Sequence, residues 1–116
     1  MKNKKLKHLI KLSSNVKIYV PSTFDINKSI NNEKYVNNTL EFLSNIFGGA
    51  TSYKAFGAWL TNNKLVKENI NIVLSYCNQK DLENNIDKIY EYCLNLKIEL
   101  KQENISLEIN NELYFI

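Results

Sequence analysis

The chain has 116 residues, of which 44% are hydrophobic and 11% aromatic. That length can bury one core, and this composition excludes a disordered chain. With 15 lysines and no arginine, bidentate guanidinium recognition of phosphate or guanine is excluded, so an anion site would need lysine, hydroxyls or backbone N–H groups. The net charge of +3 divides into six lysines without a carboxylate in residues 1–17, and nine lysines against twelve carboxylates in residues 18–116.

Residues 1–15 are predicted to form a basic, flexible N-terminal tail. Such a tail can hold nucleic acid or an acidic partner, or it can be a solvated chain end. The candidate contact residues in it are Lys2, Lys4, Lys5, Lys7 and Lys11. The stretch LKHLIKL is too short and too charged for a signal peptide or a membrane span, so no membrane contact is expected. Two cysteines without a signal peptide indicate reduced thiols and a cytoplasmic location.

The rest of the chain, 16–116, reads as one domain whose elements follow in order. VKIYV alternates and stops at Pro21, which predicts a strand, and a polar loop follows. Apolar residues at helical spacing predict a helix over 35–47, which Gly48 and Gly49 end. Strands over 50–60 and 65–77 flank the turn TNNK, and a second helix runs from about 80 to 101. The segments ISLEI and ELYFI surround an Asn110–Asn111 turn, which predicts a hairpin.

The order strand, helix, strand, strand, helix, strand predicts an α+β fold of the ferredoxin-like split βαβ type (βαββαβ). Its sheet is antiparallel, both helices cover one face, and an extra C-terminal strand is allowed. The open face is expected to carry Lys17, Tyr19, Asn69, Asn71, Val73, Ser75, Ser106 and Glu108.

The second strand carries aromatic residues in both registers. Either both of its faces are covered, or Gly57 marks a bulge that changes the phase. Small Ala55 and Gly57 between Tyr53 and Trp59 predict a shallow trough with aromatic walls. It can seat a base, a flat ligand or a partner's side chain, or it can be the seam of a homodimer.

Specific chemistries find little support in the sequence. His8, the single histidine, lies in the tail, which excludes a histidine-dependent triad or metal site in the body. FGGAT closes a helix and lacks the Gly-Lys-Ser/Thr of a phosphate loop. KIYVPS and KAFGAWL look like strands of an RNA recognition motif, but their order along the chain contradicts that fold. We therefore predict no catalytic residue, no metal and no cofactor.

Five segments together resemble an uncharacterised family of small bacterial, plasmid and phage proteins: VPST after the first strand, FGGAT at the helix end, G-x-W in the next strand, LVKEN at the start of the third and QENISLEINNELYFI at the end. The resemblance covers residues 16–116 and implies no reaction. The pattern that it implies comprises Pro21, Ser22, Thr23, Gly48, Gly49, Thr51, Gly57, Trp59, Glu68 and Gln102.

These observations favour a non-enzymatic, homodimeric binding protein of a phage or mobile element. One version inhibits a bacterial defence system such as CRISPR by docking on a protein or ribonucleoprotein target. The alternative is a small-ligand or nucleotide-binding protein, with or without weak phosphodiester chemistry, that uses the aromatic trough. A third hypothesis is RNA binding through the tail. The residues predicted to bind a ligand or partner are Tyr19, Ser22, Thr23, Thr51, Tyr53, Trp59 and Glu68.

Overall fold

The computed structural model describes residues 3–116. A short 3-10 helix, Leu6–His8, precedes the first strand. The strands are β1 (Ser14–Pro21), β2 (Thr23–Phe24), β3 (Lys28–Ser29), β4 (Thr51–Thr61), β5 (Lys64–Cys77), β6 (Ser106–Ile109) and β7 (Glu112–Phe115), and the helices are α1 (Glu33–Phe47) and α2 (Gln79–Glu99). Neither helix is long and apolar enough to cross a membrane.

One antiparallel sheet of five strands, in the order β4-β5-β1-β6-β7, forms the body of the protein. This order confirms the predicted α+β split βαβ fold, and β7 is the extra C-terminal strand. The remaining strands, β2 and β3, form a small ribbon in the loop after β1. That loop, predicted only as polar, therefore has a defined structure beside the main sheet.

The helix ends follow from local chemistry. Gly48 closes α1 with a positive φ of 93° and donates its N–H to Ser44 O at 2.8 Å, as the glycine pair predicts. Asn78 caps α2, because its side chain accepts the Asp81 N–H at 2.8 Å. Both predicted helices are confirmed to within two residues at each end.

The core lies between the two helices and one face of the sheet. Ile18 pairs with Val73 on one side and Leu107 on the other, and all three side chains are buried. Along α2 and its C-terminal cap, apolar residues at helical spacing are buried at Leu82, Ile89, Cys93, Leu96 and Leu100, while Ile86 remains 36% exposed. Burial of these side chains supplies the main stabilisation of the fold.

The phase predicted for β5 is wrong. Val73 and Ser75 were expected on the open face but are buried under the helices. Asn71 lies on the same side as they do, and its Oδ1 accepts a hydrogen bond from the Asn32 side chain at 3.0 Å. The apolar set Ile70, Ile72 and Leu74 therefore occupies the open face, as the pairing of β5 with β1 and β4 requires.

No bulge interrupts the hairpin of β4 and β5 at Gly57. Pairing runs without a break from Thr51 opposite Leu74 to Thr61 opposite Lys64. A side chain on Gly57 would meet only the Glu68 carbonyl oxygen, at 3.9 Å, which is ordinary contact. Gly57 is thus not required by a bulge. Because it has no side chain, it leaves open space on this face of the sheet next to Glu68, its pairing partner.

Candidate functional site

A wide concave surface lies on the open face of the sheet. This open-face groove has a volume of about 700 Å³. Its apolar and aromatic lining comprises Tyr19, Pro21, Ile26, Ala55, Phe56, Ala58, Trp59, Ile70, Ile72, Ile105, Leu113 and Phe115. Its other lining residues are Gly57, Glu68, Gln102, Glu103, Asn104 and Ser106. The groove crosses the sheet from β4 to β7, so every strand of the sheet contributes to its floor or rim.

Glu68 is the carboxylate on the β5 part of this groove. Its Oε1 accepts a hydrogen bond from the Thr23 hydroxyl at 3.0 Å. The Gln102 amide donates to the Thr23 carbonyl oxygen at 3.0 Å and lies 3.3 Å from its hydroxyl oxygen. The hydroxyl of Ser22, the residue before Thr23, donates to the backbone carbonyl oxygen of Asn69. The loop after β1, the middle of β5 and the loop after α2 therefore meet at one edge of the groove.

Tyr19 lies on the groove floor and is tied to β6. Its hydroxyl donates to Glu108 Oε1 at 2.9 Å, and Lys17 Nζ lies 3.3 Å from Glu108 Oε2. Partial burial and the bond to Glu108 raise the pKa of Tyr19 to about 12. The bond to Glu108 also raises the pKa of Lys17. Tyr19 therefore stays a neutral phenol near neutral pH, with its ring forming part of the groove.

The charge of the groove is negative. Its lining includes the carboxylates Glu68 and Glu103, whereas no lysine of residues 3–116 lines it, although lysine is the commonest charged residue of the chain. Aromatic faces and carboxylates are the groups that proteins use to hold cationic ligands. The groove thus suits a cationic or neutral aromatic ligand better than a phosphate.

The structure brings together five of the seven predicted binding residues. Tyr19, Thr23, Trp59 and Glu68 line the groove or contact a residue that does, and Ser22 lies beside them. Thr51 lies opposite Leu74, six residues along β5 from Glu68 and so roughly 20 Å away. Thr51 therefore lies outside the groove and does not share a site with the loop after β1.

The predicted trough exists but is shorter than expected. Continuous pairing places Tyr53, Ala55, Gly57 and Trp59 on the open face. Trp59 lines the groove, and Tyr53 lies outside its lining, opposite Ile72. The trough predicted from the sequence is thus one wall of a wider groove.

The basic tail stays apart from this groove. Lys4, Lys5, Lys7 and Lys11 belong to residues 3–13, all of which are exposed, and Lys2 lies outside the described residues. The domain begins earlier than predicted, because Ser14 and Asn15 pair with Cys77 and Tyr76 in the sheet. No group of three or more His, Cys, Asp or Glu side chains that could hold a metal ion occurs in residues 3–116.

Several groove residues were missed at the sequence level. Ile70 and Ile72 alternate with the residues predicted for the open face, so the sequence placed them on the opposite side. Leu113 and Phe115 were predicted only as part of a terminal hairpin, which gives no hint of its neighbours. Glu103 follows α2 in a stretch without a recognisable motif. A signal for these residues was available only from the pairing of β1 with both β5 and β6, which fixes the open face.

No protein-family model and no curated protein matches the sequence. Two solved structures match the fold. A phage SAM lyase in complex with S-methyl-5'-thioadenosine has a TM-score of 0.65 and 18% identity, covering 94% of this chain and 92% of its own. A phage SAM lyase in the apo state has a TM-score of 0.66 and 20% identity, covering 93% and 94%. The chain is therefore similar in fold to these enzymes over almost its whole length.

These comparisons correct the functional prediction. The sequence favoured a non-enzymatic binding protein, and this is wrong, because both structures that share the fold are of an enzyme. The physical reason for the error is that the prediction equated catalysis with histidine, metal or cysteine chemistry. The ligand named with the first structure is a nucleoside derivative, which agrees better with the alternative prediction of a small-ligand site on the sheet.

Proposed function

We propose that this protein is a lyase that cleaves S-adenosylmethionine (SAM) and releases S-methyl-5'-thioadenosine. The observation that carries the proposal is the acidic, aromatic groove on the open face, on a fold similar to that of the phage SAM lyases. Neither part would suffice alone, since one fold hosts many activities. The proposal joins a ligand chemistry suggested by the groove to a reaction suggested by the fold.

The substrate chemistry fits the lining of the groove. SAM carries a sulfonium ion and an ammonium group against one carboxylate, so its net charge is positive. Tyr19 and Trp59 present aromatic faces to a sulfonium and to an adenine ring, and Glu68 and Glu103 present negative charge. The same charges argue against the phosphodiester chemistry considered from the sequence, because phosphate would meet carboxylates here.

The reaction needs little from the protein, because a sulfonium is a good leaving group. The bond between sulfur and the four-carbon amino-acid chain breaks, and its electron pair goes to sulfur, which gives the neutral thioether S-methyl-5'-thioadenosine. The carbon that loses its bond to sulfur is then satisfied in one of two ways. The four-carbon fragment closes onto its own carboxylate as a lactone, or it loses a proton to a base and becomes an alkene, and no water is consumed in either case.

The groove residues have separate tasks in this scheme. Trp59 and Tyr19 hold the adenosyl part. Glu68 lies opposite Gly57, which has no side chain, so no side chain of β4 comes between the Glu68 carboxylate and the substrate. Loss of the sulfonium charge on cleavage weakens the attraction of Glu68 and Glu103 for the product. The neutral product then leaves more easily than the substrate, which favours turnover.

The test is to incubate the purified protein with SAM and follow S-methyl-5'-thioadenosine by liquid chromatography with mass spectrometry. The expected result is time-dependent release proportional to protein concentration. Glu68→Gln, which keeps the shape of the side chain, is expected to lower kcat/KM by roughly 100-fold while the melting temperature stays unchanged. The lactone and the alkene have the same mass, so proton NMR of the products separates them by the vinyl signals.

A matched control is Glu112→Gln, which removes one exposed carboxylate on β7 outside the groove lining. It is expected to retain wild-type release. An absence of S-methyl-5'-thioadenosine from reactions with folded wild-type protein would contradict the proposal, as would full activity in Glu68→Gln.

The biological setting that we propose is the cytoplasm of an infected bacterium, where SAM serves as methyl donor. Consumption of SAM there would deprive host methyltransferases and other SAM-dependent enzymes of their cofactor. This keeps the expected link to a phage or mobile element and to evasion of host defence, with a small molecule as the target in place of a protein.

We also propose that copies of the chain associate through the far part of the β4–β5 hairpin. Phe56, Leu60 and Leu65 lie on the helix side of this hairpin, yet they are 77%, 73% and 58% exposed. Since β4 is an edge strand, two copies can meet edge to edge and cover this patch. Native mass spectrometry is expected to give an oligomer for the wild type and a monomer for Leu60→Glu, and a monomeric wild type would contradict the idea.

A further inference from the structure

The side chain of Glu68 is held by two residues that approach it from distant parts of the sequence. Thr23 lies 45 residues before Glu68, and Gln102 lies 79 residues after Thr23. Their hydrogen bonds form a chain. The Gln102 amide donates to Thr23, and the Thr23 hydroxyl donates to Glu68 Oε1 at 3.0 Å.

The direction of each bond is fixed by the groups present. An amide nitrogen can only donate, so at 3.3 Å from the Thr23 hydroxyl oxygen it acts on a lone pair; because its two protons meet three acceptors, this contact is the weaker branch of a bond shared with a nearer carbonyl oxygen. The single hydroxyl proton of Thr23 is then directed to the carboxylate, which can only accept when ionised. Bonds in such a chain polarise one another, so each is stronger than it would be alone.

The Gln102 amide is itself anchored to backbone. Its Nε2 lies 3.0 Å from the Thr23 carbonyl oxygen and 3.1 Å from the Leu100 carbonyl oxygen, and the Leu100 side chain is fully buried. The loop after β1 is fixed to the same place, since Asp25 N–H donates to Leu100 O at 2.9 Å. The end of α2 therefore sets the position of Thr23 relative to β5.

Only one oxygen of Glu68 is occupied by this chain. Oε1 is bound by Thr23, while Oε2 has no hydrogen-bond partner within residues 3–116. A carboxylate fixed through one oxygen presents the other in a defined direction, and such preorganisation matters more for catalysis than the charge alone. A freely rotating glutamate on a half-exposed strand would lack this.

From these contacts we propose that Thr23 and Gln102 are positioning residues, which act on the reaction only by orienting the Glu68 carboxylate. This inference rests on the proposed function for its kinetic consequence. The contacts from Gln102 to Thr23 and from Thr23 to Glu68 exist independently of it, so the two can be tested apart.

The kinetic test compares Thr23→Val with Thr23→Ser. Valine keeps the shape but removes the hydroxyl, and kcat/KM for release of S-methyl-5'-thioadenosine is expected to fall at least about tenfold, as for loss of a bond to a charged group. Serine keeps the donor and is expected to stay within about threefold of the wild type. The control is Thr61→Val, the same replacement at an exposed threonine of β4 outside the groove lining, and it is expected to have no effect.

A double-mutant cycle separates positioning from general destabilisation. If Thr23 acts through Glu68, adding Thr23→Val to Glu68→Gln lowers kcat/KM no further. Gln102→Met, which removes the amide, is expected to reproduce the loss in part, by roughly threefold to tenfold. A full additional loss in the Glu68→Gln background, or equal losses for valine and serine, would overturn the proposal.

A second readout needs no activity. Carbon-13 NMR at neutral pH observes the glutamate side-chain carboxyls directly. We expect the Glu68 resonance to shift in Thr23→Val and to stay near its wild-type position in Thr23→Ser. An unchanged resonance in Thr23→Val would overturn the proposed positioning of Glu68 by Thr23 even if the protein is an active lyase. If the wild type releases no S-methyl-5'-thioadenosine, the proposed function fails, and this resonance alone then tests whether Thr23 positions Glu68.

Discussion

The two faces of the five-stranded sheet are both rich in apolar residues but have opposite roles. On the helix side, Val16, Ile18 and Val73 are completely buried. On the open side, Tyr19, Ile70 and Trp59 line a groove that also contains two carboxylates. The difference teaches that apolar alternation in a strand identifies a covered face only when something is available to cover it. An apolar face left open beside fixed charges is a candidate for binding.

The largest expected effect comes from equal truncations on the two faces. Ile18→Ala empties a fully buried site, so the free energy of unfolding is expected to fall by about 3 to 4 kcal/mol. Ile70→Ala on the open face is expected to cost less than about 1.5 kcal/mol, because it removes a partly exposed side chain. Urea unfolding followed by circular dichroism measures both, and similar losses would show that the open face is a second core.

Filling the space above Glu68 sharpens the comparison from the other side. Gly57→Val adds a β-branched side chain in a strand without a backbone clash, so stability is expected to stay equal or rise by about 0.5 to 1 kcal/mol. Release of S-methyl-5'-thioadenosine is expected to fall roughly tenfold, because the added atoms occupy the groove. Kinetics and thermal unfolding on the same samples check this, and a proportional loss of stability would contradict it.

The smallest expected effect concerns pH. The pKa of Tyr19 is raised to about 12, so the folded protein keeps a proton that the unfolded chain releases near pH 10. Its contribution to stability is therefore present below about pH 10 and is lost as the pH rises toward 12. Tyr19→Phe is expected to make this fall shallower.

Urea midpoints at pH 7, 9 and 11 measure that slope, with the exposed Tyr114→Phe as control for loss of a hydroxyl. Part of the slope is expected to persist in Tyr19→Phe, because the pKa of Lys17 is also raised by Glu108. The same slope in the wild type and Tyr19→Phe would argue that the Tyr19–Glu108 bond does not survive in solution.

Much of the fold could be predicted because its signals are local. Gly48 as a helix end, the apolar stripe of α2 and the Asn110–Asn111 turn are all written within a few residues. The face of β5 could not be predicted, because Asn71 is polar yet lies on the helix side, where the side chain of Asn32 satisfies it. Polarity there reflects a partner far along the chain.

The site could be predicted only in part for the same reason. Trp59 and Gly57 stand close together in the sequence and indicated a trough. The relation of Thr23 to Glu68 depends on the fold, because the chain between them forms a helix and two strands. That Gln102 joins them depends in addition on where α2 ends. The resemblance to a family pattern named these residues without placing them together.

The turn at Asn62 and Asn63 lies outside the groove but affects its geometry. Both asparagines have positive φ angles, 51° and 63°, as a tight two-residue hairpin turn requires. This turn sets which residue of β4 faces which residue of β5. A slip of one position would turn Trp59 or Glu68 to the opposite side of the sheet. The alignment of the ligand site is therefore set by two asparagines that follow the fourth residue pair beyond Glu68, roughly 16 Å away along the hairpin.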